Sequence, residues 1–145
     1  MKEYTISTDY SPVTGLRYCY ESECSGEDFY HKCLNKWLYE AYVNGKEKIK
    51  IILDGGEDGY GPSFRDESFG NLVYDFSLDI VLEILEIVAE GDEIWKEEIE
   101  DKTYPDWEKR RKEKNEPDKY EDHPAWWRLV NGNLECKVWV NKKEK

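Results

Sequence analysis

Residues 53–72 read LDGGEDGYGPSFRDESFGNL. Four glycines (Gly55, Gly56, Gly59 and Gly61) separate an apolar run from a segment with helical spacing. Before them, KIKIILD places Ile49, Ile51 and Leu53 in alternation with Lys48, Lys50 and Ile52. That pattern predicts a strand apolar enough for the middle of a sheet. After them, Ser63 is expected to cap a helix, with Asp66 and Glu67 near its positive end. Phe64, Phe69, Leu72, Val73 and Phe76 supply its core face. Gly70 inside this helix costs ~1 kcal/mol against Ala, and a close approach of helix to sheet is expected there. A strand, a glycine loop and a helix in this order make a unit of an α/β fold.

The flanking elements extend the pattern. Upstream, Glu3–Ser7 and the aromatic run Leu16–Tyr20 read as strands. Ser25 precedes a helix over 26–43, with Phe29, Cys33, Trp37 and Ala41 at i, i+4, Leu34 and Leu38 beside them, and Asn44-Gly45 as its stop. Downstream, LDIVLEILEIV (78–88) alternates and reads as a further strand, although its spacing also suits a helix. Gly91-Asp92 then punctuates the chain before a short helix carrying Ile94, Trp95 and Ile99. The expected body, residues 1–101, is a mixed β-sheet with helices packed on it. Residues 102–145 are expected to form a charged arm, with a short helix near Trp107, and a β-hairpin about Asn131-Gly132 docked on the same body.

Composition narrows the function classes. At 145 residues the chain has the size of one domain. Six Trp and eleven Tyr argue against disorder despite 37% charged residues. The net charge is −12, and it is uneven: residues 1–101 hold 9 Lys+Arg against 24 Asp+Glu, while 102–145 hold 12 against 9. An acidic body repels nucleic acid and anionic membrane and suits a basic protein partner. No apolar run is long enough to span a bilayer, and no basic-then-apolar start suggests a signal peptide. A cytoplasmic protein is expected. Cys19, Cys24, Cys33 and Cys136 lack the paired spacing of a zinc site. Reduced thiols and no metal are expected, with His31 near Cys33 the one hint otherwise.

The glycine loop could cradle a phosphate, but Glu57 and Asp58 oppose it, and neither GxxxxGK[ST] nor GxGxxG is present. A nucleophile elbow fails at Arg65, and only His31 and His123 offer an imidazole base. Asp54, Asp58, Asp66 and Glu67 could gather on Mg²⁺ as a small metal-dependent enzyme, or they could be solvated loop and helix-start charges. The hairpin aromatics lack a basic stripe, so packing is expected rather than stacking on bases. No cofactor is expected.

Beyond these readings lies a resemblance. Gly15-Leu16-Arg17-Tyr18, Ser25-Gly26-Glu27-Asp28-Phe29, Leu53-Asp54-Gly55 and the block from Gly59 to Leu72 resemble, in order and spacing, the STAS-like family DUF4325. The resemblance covers about residues 12–101. Pro62 and Asn71 depart from it, where members often carry Ser and Gly. It implies a fold akin to anti-sigma factor antagonists and a regulatory, non-enzymatic protein-interaction module. In STAS domains the serine at the loop-to-helix junction is phosphorylated by a partner kinase, and Ser63 holds that position here. The implied contact surface is Ser63 with Tyr60, Phe64, Arg65, Asp66 and Glu67, facing a kinase, an ATPase or a basic protein. The acidic body leaves a second reading open, a phage or mobile-element inhibitor that imitates nucleic acid.

Overall fold

Ile49, Ile51 and Leu53 are buried, and they set the centre of the fold. The computed structural model describes residues 2–56, 59–91 and 93–144. Glu57 and Asp58, read above as loop charges with Asp58 a candidate Mg²⁺ ligand, and Asp92, read as punctuation before a helix, lie outside the described residues. Strand β1 (Lys2–Thr5) and strand β3 (Leu85–Val88) flank strand β2 (Ile49–Ile52), both parallel to it. Ile51 stands opposite Tyr4 on one side and Ile87 on the other. The neighbouring register row carries Glu3, Lys50 and Glu86, and the Lys50 ammonium reaches both carboxylates at 4.0 and 3.8 Å. The α/β class stands. Among the described strands, antiparallel pairing occurs in a separate hairpin, β4 (Trp126–Val130) with β5 (Asn133–Lys137). Its turn has positive φ at Asn131 and Gly132, the conformation this dipeptide favours.

Three long helices cover the sheet: α2 over 26–43, α3 over 62–76 and α5 over 93–112. Two short ones complete the set, α1 (Ile6–Asp9) and α4 (Leu78–Ile84). Ser25 caps α2 as expected, its hydroxyl accepting the Asp28 amide at 3.1 Å. Each long helix contains one π turn, at Tyr30–Leu34, Asp66–Gly70 and Ile99–Thr103. A π turn adds one residue to the helical period. The core contacts therefore step by five across it, from Phe29 to Leu34, Phe64 to Phe69 and Ile99 to Tyr104, all buried. Leu34 and Leu38 accordingly sit in the core of α2, while Cys33 and Trp37 are only half-buried.

Two expected strands take other forms. Leu16–Tyr20 is a turn, because its backbone serves a helix end instead of a sheet. The carbonyls of Leu16 and Arg17 accept the Gly26 and Glu27 amides at 2.9 and 3.0 Å, at the start of α2. Tyr18 and Tyr20 meet Tyr120 of the arm, at centroid distances of 4.5 and 4.8 Å. In the 78–88 run, the first half is α4 and only Leu85–Val88 is strand. Val81 and Ile84, three apart, face the core while Leu82 is exposed. Ser77, at φ +78°, breaks the chain between α3 and α4. Ile94, expected on the apolar face of α5, is also exposed.

Helix α5 runs through Asp101 and Lys102 without a break. Its Trp107 lies against Gly70: a Cβ at Gly70 would come within 2.3 Å of the indole nitrogen. The close approach is thus to α5 rather than to the sheet. Gly70→Val is expected to cost about 3 kcal/mol, the upper range for overpacking. Urea denaturation checks this, and adding Trp107→Leu to the same chain should recover part of the loss.

Candidate functional site

The loop after β2 opens at the carboxyl edge of a parallel sheet, where α/β folds place their ligands. Asp54 follows that strand in the turn, and its side chain reaches toward the segment after β3. Its carboxylate accepts the Glu90 and Gly91 amides at 2.9 and 2.7 Å. Those bonds, Gly91's first, hold its carboxyl below the usual range. Gly59 takes φ +69°, and a Cβ there would strike the Trp95 ring at 2.4 Å. Leu53, Asp54, Gly56, Tyr60, Ala89 and Trp95 line a small cleft of about 250 Å³.

The junction is built from within. Tyr60 is buried and donates its hydroxyl to the Leu53 carbonyl at 2.7 Å. Arg65 is buried too; it donates to the Tyr60 carbonyl and lies 5.4 Å from the Trp95 ring centre. Phe64 is fully buried against Phe29. Glu67 is buried, and Asn71 donates to it at 2.6 Å. Burial pushes the Glu67 carboxyl up, with Lys119 and Arg17 opposing. Of the six residues expected at the surface, these four are therefore interior. Only Ser63 and Asp66 are partly open to solvent. Asp66 accepts from Thr103 at 3.1 Å and meets Arg17 at 3.4 Å.

Ser63 does not cap α3. Gly61 is the N-cap and Pro62, which has no amide hydrogen, fills the first helical position. Ser63 thus lies in the first turn, and its hydroxyl forms no hydrogen bond among the described residues. Asp54, Asp66 and Glu67 do not converge: Asp54 is tied to the Glu90 and Gly91 amides while Arg17 bridges Asp66 and Glu67 at 3.4 and 3.5 Å, and the three form no ligand cluster among the described residues.

A second constellation was not visible in the sequence. Cys19, Glu27 and His123 bring a sulfur, a carboxylate oxygen and an imidazole nitrogen within 4.8 Å of one another. Glu27 is fully buried and accepts the Cys19 and Tyr120 amides at 3.0 and 3.1 Å. Its other partner is His123 Nε2 at 2.6 Å. Burial pushes the Glu27 carboxyl up, but His123 and the two amides outweigh it and hold it below the ordinary value. Burial pushes the Cys19 thiol up to about 12. His123 stacks on His31 with ring centres 3.7 Å apart. Nothing in local spacing signals this group, because His123 lies 96 positions from Glu27.

Residues 25–95 match the family model of a STAS-like domain of unknown function (DUF4325). No curated protein and no solved structure matches the chain. Among the described residues, no helix is long and apolar enough to cross a membrane.

Proposed function

With residues 25–95 shown as a STAS-like domain of that family, we propose that this protein is a non-enzymatic regulatory module that binds another protein and is switched at Ser63. The observation that carries this reading is the placement of Ser63. It is a partly exposed hydroxyl, without an internal hydrogen bond among the described residues, in the first turn of α3 after the loop that leaves β2. The amides of Ser63 and Phe64 are among the donors that a helix start leaves free. A phosphate on Ser63 would meet them and the helix dipole, and would add about −1.5 to −2 charges beside Asp66. The contact surface is then Ser63 and Asp66, held in place from beneath by Tyr60, Phe64, Arg65 and Glu67. The partner is a kinase or ATPase of the regulatory type, or another basic protein suited to a chain of net charge −12.

Affinity capture from native lysate tests this, with wild type, Ser63→Ala and Ser63→Glu read by mass spectrometry at two salt concentrations. Ser63→Glu is expected to keep the fold by circular dichroism and to lose a kinase-like partner at least about tenfold, or ~1.4 kcal/mol. Ser63→Ala is expected to retain it. Equal capture by both variants removes the switch. Capture of a nucleic-acid-binding protein by both, released by salt, replaces this reading with acidic mimicry.

A further inference from the structure

We propose that Cys19, Glu27 and His123 bind a zinc-class divalent cation that pins the C-terminal arm to the helical body. The three ligands come from three separate parts of the chain. Cys19 lies in the turn before α2, Glu27 in the first turn of α2, and His123 in the arm before the hairpin. The donor set is one thiol, which gives up its proton to solvent on binding the metal, one imidazole and one carboxylate, which suits zinc. Magnesium and calcium are hard cations that prefer oxygen ligands, and a sulfur with an imidazole nitrogen does not suit them.

The donor atoms stand within about an ångström of zinc spacing. A four-coordinate zinc with bonds of ~2.0–2.3 Å keeps its ligand atoms roughly 3.3–3.8 Å apart. The three atoms here span no more than 4.8 Å. Glu27 and His123, at 2.6 Å, stand at the separation of two groups sharing a proton. A cation takes that proton's place and spreads them slightly.

The supporting shell is already formed. The Cys19 and Tyr120 amides orient the carboxylate of Glu27. Ser25 Oγ lies 3.5 Å from the Cys19 sulfur, and the His31 ring backs that of His123. Such outer contacts fix ligand orientation in metal sites. Cys19 also lines a cleft of about 380 Å³ with Cys24, Asp28 and Glu121. That opening gives solvent a route to the Cys19 side of the site. Because Tyr120 and His123 both belong to the arm, occupancy of the site is coupled to docking of the arm.

Full-length protein treated with EDTA and dialysed is titrated with ZnCl₂ by calorimetry, and separately with CoCl₂ while absorption is recorded. One equivalent of zinc is expected, with a rise in thermal midpoint, and cobalt is expected to give a thiolate-to-metal charge-transfer band. Cys19→Ser is expected to abolish that band. Cys19→Ser and His123→Gln are each expected to weaken zinc binding by more than the roughly 10–100-fold cost of losing a supporting contact. Cys136→Ser, which removes an exposed thiol, is expected to change nothing. If His123→Gln fails to fold, Cys19→Ser and the cobalt spectrum carry the test. Absence of zinc binding, absence of the thiolate band, or unchanged affinity in Cys19→Ser overturns the proposal.

Discussion

A chain ending at Lys112 is expected to lose cooperative folding. The truncation keeps the whole segment that matches the family model and the whole of α5. What it removes is the part of the core that the arm supplies. Lys119 is 1% exposed, and its ammonium donates to Asn71 Oδ1 at 3.0 Å. It lies between the buried carboxylates of Glu67, Asp75 and Glu27, which favour its charge while burial lowers its pKa. Trp126 is buried beside it, and Trp127 exchanges two hydrogen bonds with the buried Asn35 amide, at 2.9 and 3.0 Å. Without the arm, water reaches some of those carboxylates, which relieves part of the charge penalty. The same water reaches the Tyr30 ring, which now contacts Lys119. Removing one partner of a buried pair costs ~3–5 kcal/mol. Three such carboxylates lose partners here, against a total stability of about 5–15 kcal/mol for a domain. Near-ultraviolet circular dichroism during heating checks the result. A sharp transition within a few degrees of the full-length midpoint would make the arm an accessory to an independent body.

The arm also shows why the fold was only partly legible. Strand β2, the cap of α2, the start of α3 within two residues and the hairpin turn all follow from local rules, since each depends on neighbours a few positions away. The helical faces were harder to read. A period of 3.6 carries Phe29 to Cys33, but the π turn carries it to Leu34, and the same shift occurs at Phe69 and Tyr104. Such a turn holds only while other helices pack against it, so it is a tertiary outcome. The same limit governs the candidate sites. Phe64 was legible as core from its helical spacing, but Tyr60, Arg65 and Glu67 belong to the stretch read as contact surface, and in sequence a polar or aromatic residue near a loop looks like surface. Their burial becomes visible only once α2, α5 and the arm are placed around them. The burial of Glu27 at the start of α2 is hidden in the sequence for the same reason. Two of its three partners, Tyr120 and His123, arrive from more than ninety positions away.

Arg128→Leu is expected to be the most damaging single substitution in the hairpin, and its cost should depend on pH in a particular direction. Arg128 Nε donates to Asp75 at 2.8 Å, and its two terminal nitrogens grip Glu116 at 2.7 and 3.0 Å. Asp75 is 2% exposed; it also accepts from the Tyr30 hydroxyl. Loss of the guanidinium leaves this buried carboxylate with Lys119 as its remaining cation, and a cost of about 3–5 kcal/mol is expected at neutral pH. The double variant Arg128→Leu with Asp75→Asn removes the stranded charge, so it should regain more than half of that loss. Burial holds the Asp75 carboxyl above its ordinary value, opposed by Arg128 and Lys119. Removing Arg128 raises it further. A carboxyl whose folded value exceeds its unfolded one binds protons more tightly when folded, so its contribution favours folding at low pH and is lost as pH rises through the folded value. The deficit of Arg128→Leu against wild type should therefore be smaller at a mildly acidic than at a mildly alkaline pH. Glu27 works in the opposite sense, its folded value being lowered. It acts only as pH falls through that lowered value, and it is common to both proteins. Urea titrations of wild type and variant at both pH values supply the comparison. A deficit that is flat or grows toward acid would mean that Asp75 is not the charge Arg128 holds in place.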